Sequence, residues 1–309
     1  MDVNVLHARL AALFSSEELK LDEPLSAHTT FRVGGPADFF VEPHSAEQIQ
    51  AAVNAAREAG APWHVIGQGS NLLVADEGLR GLVICLGERF SAITVEGCTL
   101  TAQAGATNKE VARAACEAGL TGYEFASGIP GSIGGAAYMN AGAYDGEFKD
   151  VASTLTCLDQ GGQVIAVNAA DAGFGYRTSA MQDRGWLVLA ATLQLSPAEP
   201  DRIAERIADL TARRSAKQPL DLGSAGSTFK RPAGHYAAQL IDEAGLRGYR
   251  VGDAMVSTKH TGFVVNVGHA TASQVLQVIR DVTDQVQAAS GVRLEPEVRM
   301  WGFAGIDER

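Results

Sequence analysis

The feature that most limits how this chain can fold is a glycine-rich segment at residues 127–146, SGIPGSIGGAAYMNAGAYDG. It holds six glycines in twenty residues and shows neither a sustained helical period nor the alternation of a strand. Its other side chains are mostly small or apolar, unlike those of a disordered linker. We therefore predict a buried loop whose backbone closely approaches a bound ligand.

A second glycine-rich segment, GQGSN at residues 67–71, directly follows a predicted strand. Small residues at the end of a strand allow backbone N–H groups to point at a phosphate. No GK[ST] follows, position 72 is Leu and no helix begins there, so the segment is neither a Walker loop nor a full GxGxxG motif. Alone it could be an ordinary turn, but with residues 127–146 it favours a dinucleotide. FAD fits better than NAD because the Rossmann acidic residue and its helix are missing.

Hydrophobic periodicity predicts an α+β fold. Helices are predicted at residues 45–60, 108–118, 202–214, 236–244 and 272–289. Strands are predicted at residues 63–66, 72–74, 82–86, 92–95, 100–103, 155–158, 164–167, 186–195, 263–267 and 293–300. We expect two packed subdomains in residues 1–200, with a core over about 30–197, and a C-terminal α+β domain in residues 201–309, with a breaker-rich stretch at 218–226 near the boundary.

Charge is distributed unevenly along the chain. The net charge of −11 disfavours general nucleic-acid binding. Residues 201–309 hold 14 Lys/Arg and 13 Asp/Glu, a net of +1, which leaves 11 minus 23, or −12, for residues 1–200. The C-terminal third is therefore better suited to an anionic ligand, although ordinary surface variation would give the same numbers.

The sequence also indicates where in the cell the protein is found and what its cysteines do. No apolar run is long enough to span a bilayer, and Asp2 and Arg9 stand where a signal peptide would be apolar, so we expect a cytoplasmic protein. The four cysteines are scattered without a CxxC pair. We predict no disulfide framework and no metal site, with the cysteines serving as small buried hydrophobes.

Three polar residues lie in segments whose other residues have an ordinary structural role. They are Arg177 in GYR, Ser227 in AGSTFK and Glu297 in LEPEVR. Each has an ordinary interpretation as well as a chemical one. Arg177 could form a surface ion pair, Ser227 could cap a turn, and Glu297, with Glu295, could line a solvated strand face. Nothing in their spacing alone brings the three together.

Six segments, in this order, are similar to the motifs of the UDP-N-acetylenolpyruvoylglucosamine reductase family. They are HTTFRVGGPAD, VIGQGSNLLV, SGIPGSIGGAAYMNAGAY, GYRTS, AGSTFKRP and LEPEVR, and they cover residues 28–302. The short separation of Arg177 and Ser227 resembles the branch of the family that lacks an inserted tyrosine-bearing loop.

The resemblance implies a two-subdomain FAD-binding fold of the vanillyl-alcohol-oxidase (PCMH) type, followed by a domain that closes over a UDP-sugar. It implies that Arg177, Ser227 and Glu297 are catalytic and that Tyr144, Lys217 and Arg299 bind substrate. Arg231 stands where part of the family has Asn, and His260 where some relatives have Gln. The residues expected to bind FAD are Gly67, Gly69, Ser70, Asn71, Gly128, Pro130, Gly131, Ser132, Gly134, Gly135 and Asn140.

The implied activity is reduction of UDP-N-acetylglucosamine enolpyruvate by NADPH through non-covalently bound FAD, in peptidoglycan precursor synthesis. A covalent-flavin oxidase of the same fold and a non-catalytic flavin- or nucleotide-binding module are the alternatives. The first would need a His or Cys tether, which residues 127–146 lack, and the second would not need all three catalytic candidates. We expect a small-molecule substrate as the only partner, without nucleic acid or membrane, and a monomer.

Overall fold

A computed structural model describes residues 1–306 of the chain. These residues form two compact units. The first contains Met1–Leu21, Phe39–Gln68 and Gly81–Arg214. The second contains Asp22–Asp38, Gly69–Arg80 and the chain from Ser215 onward.

The α-helices of the described chain are α1 (Val3–Leu13), α2 (Ala46–Glu58), α3 (Asn108–Glu117), α4 (Ile133–Met139), α5 (Ala180–Arg184), α6 (Pro200–Lys217), α7 (Ala237–Glu243) and α8 (Ala272–Ser290). Its strands are β1 (Leu19–Pro24), β2 (Pro36–Val41), β3 (Trp63–Ile66), β4 (Leu72–Val74), β5 (Leu79–Cys85), β6 (Ile93–Glu96), β7 (Thr99–Gln103), β8 (Leu120–Thr121), β9 (Gly142–Ala143), β10 (Gly146–Glu147), β11 (Ala152–Leu158), β12 (Val164–Asn168), β13 (Leu187–Gln194), β14 (Ser196–Pro197), β15 (Arg250–Val251), β16 (Ala254–Val256), β17 (Val264–Asn266) and β18 (Arg299–Trp301).

The first unit has two hydrophobic cores. One packs α1 and α2 against a sheet of order β1-β2-β5-β3, in which β3 and β5 are parallel. Ser45 begins α2 by accepting a hydrogen bond from the Gln48 N–H, and the buried face of α2 repeats at helical spacing through Ile49, Val53 and Ala56.

The second core of this unit lies on a five-stranded antiparallel sheet, β12-β11-β13-β7-β6. Helix α3 begins with a capping box between Thr107 and Glu110. The Tyr123 hydroxyl donates to Asn108 Oδ1 at 2.7 Å inside this core. Burial raises the pKa of Tyr123, so its hydroxyl remains a hydrogen-bond donor.

The second unit has one core, which α7 and α8 form with the antiparallel sheet β15-β16-β17. Thr271 and Gln274 form a capping box at the start of α8, and Gly291 ends that helix with a φ of 76°. Strand β18 pairs in parallel with β4, which is more than 200 residues earlier in the sequence.

Most predicted elements are present, with ends shifted by a few residues. The strand predicted at residues 293–300 is wrong over most of its length, since only Arg299–Trp301 forms a strand and Pro296 forms an isolated antiparallel bridge with Phe229. Pro296 cannot donate to a strand ladder. The prediction also missed these elements: α1, α5, β1, β2, β8, β9, β10, β14, β15 and β16. Of the four cysteines, Cys85 and Cys157 are buried, as predicted, whereas Cys98 and Cys116 are half-buried.

Within residues 1–306, no helix combines the length and the apolar character that crossing a membrane requires.

Candidate active site

The glycine-rich segment at residues 127–146 contains a short helix, so the predicted loop is wrong over Ile133–Met139. Ile133, Ala136 and Ala137 are buried in the core of the five-stranded sheet. The helix ends at Asn140, which lies in the left-handed region with a φ of 42°. The residues on either side of α4 are largely irregular.

The two segments predicted to bind a cofactor meet inside the first unit at Gly67 and Ser132. A Cβ atom built on Gly67 would lie 2.4 Å from the Ser132 Oγ, so a larger residue there would have to displace that hydroxyl. Ser132 is 2% exposed, and Gly131 beside it has a φ of 134°. Where residues 67–71 and 127–146 come together, the chain thus has glycine and a serine hydroxyl and no bulky side chain.

The other predicted cofactor residues of this segment differ in their surroundings. A Cβ on Gly128 would lie 3.1 Å from Arg214 Cδ, and one on Gly134 would lie 3.0 Å from Ala104 Cβ. Gly135 is exposed, and Pro130 is exposed as well. Gly128 therefore lies beside a cation, whereas Gly134 packs against the core sheet.

Gly69, Ser70 and Asn71 belong to the second unit. Gly69 has a φ of 58°, and a Cβ there would overlap the His28 carbonyl. The Asn71 side-chain Nδ2 donates to the Glu297 carbonyl at 3.2 Å, and the Asn71 carbonyl accepts from the Arg299 N–H at 3.0 Å. The structure therefore brings Asn71 to the backbone of a predicted catalytic residue and a predicted substrate residue.

The segments that carry Ser227 and Glu297 are hydrogen-bonded to each other in the second unit. The Glu297 N–H donates to the Thr228 carbonyl at 2.8 Å, and the Lys230 N–H donates to the Glu295 carbonyl at 2.9 Å. Glu297 is 9% exposed, whereas Ser227 is exposed. A serine hydroxyl that solvent or a ligand can reach thus lies one residue from the backbone contact of a buried glutamate.

Thr228 fixes this pair of segments in the core of the second unit. Its side chain is fully buried, and its Oγ1 accepts from the Val264 N–H at 2.9 Å. Its own N–H donates to the Gly262 carbonyl at 2.9 Å. A purely structural role for a polar residue in this segment therefore fits Thr228 better than it fits Ser227.

Arg177 lies in a tight turn of the first unit. The Gly175 N–H donates to the Thr178 carbonyl at 3.0 Å, and Arg177 between them has a φ of 56°. Such a conformation is costly for a residue with a side chain and is concentrated at functional sites. Arg177 is half-buried, and Tyr176 before it is 61% exposed.

A second arginine of this unit, Arg214, was not predicted as a site residue. It is half-buried, and within the described residues 1–306 its Nε has no hydrogen-bond partner. Burial lowers the pKa of its guanidinium. Tyr144, a predicted substrate residue with a φ of 52°, donates its hydroxyl to the Leu210 carbonyl at 3.2 Å, one helical turn before Arg214.

The remaining predicted residues lie in the second unit. Lys217 is exposed at the end of α6, and Arg299 is half-buried at the start of β18. The Arg231 guanidinium lies 4.1 Å from the centroid of the Tyr236 ring, a cation–π contact. Burial lowers the pKa of His260, whose ring packs edge-on against Phe263.

The structure therefore groups the predicted residues into two sets. Within the first unit, Gly67 and Ser132 meet, and the Asn140 side chain donates to the Gly175 carbonyl in the turn of Arg177. Within the second unit, Asn71, Ser227, Glu297 and Arg299 lie on neighbouring segments. Sequence reasoning missed Arg214, for which the available signal was its position three residues before Lys217.

Two family models match separate parts of the chain. An FAD-binding domain matches residues 37–168, and the C-terminal domain of UDP-N-acetylenolpyruvoylglucosamine reductase matches residues 218–301. The chain is thus a flavoprotein with an FAD-binding domain and a second, family-specific domain.

Relatives agree with both matches. The UDP-N-acetylenolpyruvoylglucosamine reductase of Agathobacter rectalis is 50% identical over 293 residues, covering 91% of this chain and 93% of the relative. That of Limosilactobacillus fermentum is 48% identical and covers 95% and 97%. The crystal structure of the Thermus caldophilus enzyme is 37% identical, covers 92% of this chain and 98% of that one, and has a TM-score of 0.78. The chain belongs to the UDP-N-acetylenolpyruvoylglucosamine reductase family, which confirms the predicted family and fold class.

Proposed function

We propose that the chain reduces UDP-N-acetylglucosamine enolpyruvate to UDP-N-acetylmuramate with NADPH, in peptidoglycan precursor synthesis. The observation that carries the proposal is the family membership over almost the whole chain, with 91% of it aligned to a relative at 50% identity. Arg177, Ser227 and Glu297 are present at the positions that the family resemblance assigns to catalysis.

The residues of the first unit fit a non-covalent FAD. Two segments with little side-chain bulk converge at Gly67 and Ser132, which leaves backbone and hydroxyl groups for a pyrophosphate. Residues 127–146 contain no Lys or Arg, whereas Arg214 lies beside Gly128 with a buried Nε that lacks a partner among residues 1–306. A phosphate oxygen would satisfy that Nε, so we propose that Arg214 supplies the missing positive charge.

The reaction sets clear demands on the protein. The double bond of the substrate is conjugated to a carboxylate, so hydride addition at C3 leaves negative charge on C2 and the carboxylate. The chemistry that FAD supplies when it is bound is hydride transfer, from NADPH to this carbon. We propose that Arg177 stabilises the developing negative charge, that Glu297 helps to polarise the substrate carboxylate, and that Ser227 donates a proton to C2.

The surroundings of these residues support their proposed roles. Arg177 is held in a backbone conformation that only strong local contacts maintain. Glu297 is buried on a segment that Asn71 and Thr228 fix, and Ser227 is exposed for contact with a ligand. Lys217, Tyr144 and Arg299 are proposed to bind the UDP-sugar, with Lys217 at the diphosphate.

The test is anaerobic. The protein is reduced with NADPH and then mixed with UDP-N-acetylglucosamine enolpyruvate, and the return of the visible absorbance of the oxidised flavin is followed. Reoxidation that yields UDP-N-acetylmuramate is expected. UDP-N-acetylglucosamine, which lacks the enolpyruvyl group, is the matched control and should leave the flavin reduced. Reoxidation by neither compound would reject the proposed activity.

We further propose a cytoplasmic monomer that binds neither nucleic acid nor membrane. The net charge of −11 supports the absence of nucleic-acid binding, since binding to a phosphate backbone depends on positive charge. Size-exclusion chromatography with light scattering would measure the oligomeric state directly.

A further inference from the structure

The backbone at Arg177 needs support from other residues. The turn closes with hydrogen bonds in both directions between Gly175 and Thr178, of 3.0 and 3.4 Å, and leaves Arg177 at a φ of 56°. A non-glycine residue in this region is strained, because its Cβ atom crowds the backbone. The conformation therefore persists only because surrounding groups hold it.

Gln182, in the first turn of α5, holds the carbonyl of Arg177 itself. Its Nε2 donates to the Arg177 carbonyl at 3.2 Å and to the Tyr138 carbonyl at 2.7 Å. Tyr138 is in α4, so one side-chain amide joins the strained residue to the C-terminal end of that helix. The Ser179 hydroxyl donates to the same Tyr138 carbonyl at 2.7 Å.

Asn140 holds the other side of the turn. Its Nδ2 donates to the Gly175 carbonyl at 3.0 Å and to Glu147 Oε2 at 3.0 Å, and its Oδ1 accepts from the Lys149 N–H at 3.0 Å. The side chain is 3% exposed. These contacts use both amide hydrogens and the oxygen, so the Asn140 side chain has a fixed orientation. It therefore also holds the Gly175 carbonyl in place.

We infer that Gln182, together with Asn140, positions Arg177 by tying its own backbone carbonyl and that of Gly175 to the end of α4. The inference rests on the proposed role of Arg177 in stabilising negative charge on the substrate. Gln182 acts through Arg177 and is a positioning residue. The contact between the Gln182 amide and the Arg177 carbonyl could not be inferred from the sequence.

The test compares Gln182→Met with Gln194→Met. Met keeps the length of Gln and removes the amide, so a cavity is avoided. Gln194 is a matched control because its amide also donates to two backbone carbonyls of the same unit, those of Cys98 and Leu195. Misplacing a charge-stabilising group by about 1 Å costs on the order of 100-fold in rate. Reoxidation by the enolpyruvyl substrate should slow by roughly 10–100-fold in Gln182→Met, with flavin reduction by NADPH unchanged and Gln194→Met like the wild type.

The decisive measurement is a double-mutant cycle with Arg177→Ala. If Gln182 acts through Arg177, Gln182→Met should add little to the defect of Arg177→Ala, since the group that it positions is already gone. The same slowing in both backgrounds would show that Gln182 acts independently and would overturn the inference. Retained FAD and the unfolding temperature show whether each variant is folded. If Gln182→Met does not retain FAD, Gln182→Glu, which also lacks the amide donors, takes its place.

The outcomes separate this inference from the proposed function. A wild-type protein that the substrate does not reoxidise, or an Arg177→Ala variant with a normal rate, removes the proposed role of Arg177, and the inference falls with it. A slow Arg177→Ala variant beside a normal Gln182→Met variant retains the proposed function and overturns only the positioning of Arg177 by Gln182.

Discussion

Ser227 and its neighbour Thr228 have hydroxyl groups in different surroundings, one exposed and one buried. Thr228 is fully buried and bonded to the Val264 N–H, so its hydroxyl is structural. Ser227 is exposed, which leaves its hydroxyl available to a ligand. The two residues therefore provide an internal comparison between a chemical role and a structural one.

Ser227→Ala should impair only the second half-reaction. Hydride transfer from NADPH to the flavin requires no proton on a substrate carbon, whereas completing the reduction at C2 does. Loss of a positioned general acid costs about 10²–10⁴ in rate. Anaerobic stopped-flow on wild type and variant measures each half-reaction. If the hydroxyl only supports the turn, the variant should instead lose stability and keep a near-normal reoxidation rate.

Lys217→Ala should raise the KM for the UDP-sugar and change kcat little. A diphosphate contact far from the reacting carbon is made equally in the ground and transition states, so its loss weakens binding without slowing the chemistry. Steady-state kinetics with varied substrate measure both parameters. Lys109→Ala, an exposed lysine of α3, is the control for loss of one positive charge and should resemble the wild type. A fall in kcat at constant KM would remove Lys217 from the diphosphate site.

The start of α8 depends on a carboxylate from a distant part of the sequence. Asp76 accepts hydrogen bonds from the Ala272 N–H at 2.6 Å, the Ser273 N–H at 2.9 Å and the Ser273 hydroxyl at 2.6 Å. These contacts satisfy N–H groups that a helix leaves unpaired at its start, and the negative charge suits the helix dipole. Asp76 thus adds a second cap to the one that Thr271 provides.

Asp76→Ala should lower the free energy of unfolding by about 1–2 kcal/mol, because it leaves the start of α8 without these acceptors. Thermal unfolding followed by circular dichroism measures the change. Asp209→Ala is the control, since Asp209 forms exposed ion pairs with Arg206 and Arg213 on α6 and should change stability by less than about 0.5 kcal/mol. Equal effects of the two substitutions would show that the Asp76 contacts add nothing to α8.

Sequence reasoning succeeded for elements whose ends and faces are encoded locally. Helices α2, α3 and α8 each begin with a side-chain cap and present a buried stripe at helical spacing. It failed for α4, because Gly134 and Gly135 each cost about 1 kcal/mol in a helix. The burial of Ile133, Ala136 and Ala137 against the five-stranded sheet offsets this cost, and that sheet is built from other parts of the chain.

The candidate site was predictable as residue types and not as an arrangement. The resemblance supplied Arg177, Ser227 and Glu297, but not the contacts that hold them. The amides of Gln182 and Asn71 act on carbonyls 5 and 226 residues away, and neither contact follows from periodicity or spacing. Roles that depend on one hydrogen bond to a backbone carbonyl therefore become visible only in the folded chain.

At the level of the whole chain, the two compact units are not continuous in sequence. Residues 22–38 and 69–80 belong to the unit that contains the C-terminal part of the chain. Contacts such as Thr30 Oγ1 to the Ser224 carbonyl, at 2.7 Å, and Asn266 Nδ2 to the Phe31 carbonyl, at 3.2 Å, join segments about 200 residues apart. The division into residues 1–200 and 201–309 stays a prediction, as do the cofactor and substrate roles assigned to those regions.

The complete protein should be yellow and should release its FAD on denaturation with acid. A covalent link needs a nucleophilic side chain, and residues 127–146 contain no His or Cys. Burial raises the pKa of the Cys85 and Cys157 thiols to about 12, which keeps them protonated and unreactive. After acid precipitation the supernatant should therefore carry the absorbance and mass of free FAD, and the washed pellet should be colourless. A covalent flavoprotein treated in parallel is the control, because its pellet stays yellow. Colour retained in the pellet of this protein would favour a covalent-flavin oxidase, and a colourless protein that gains no spectrum when FAD is added would exclude a flavin-dependent activity.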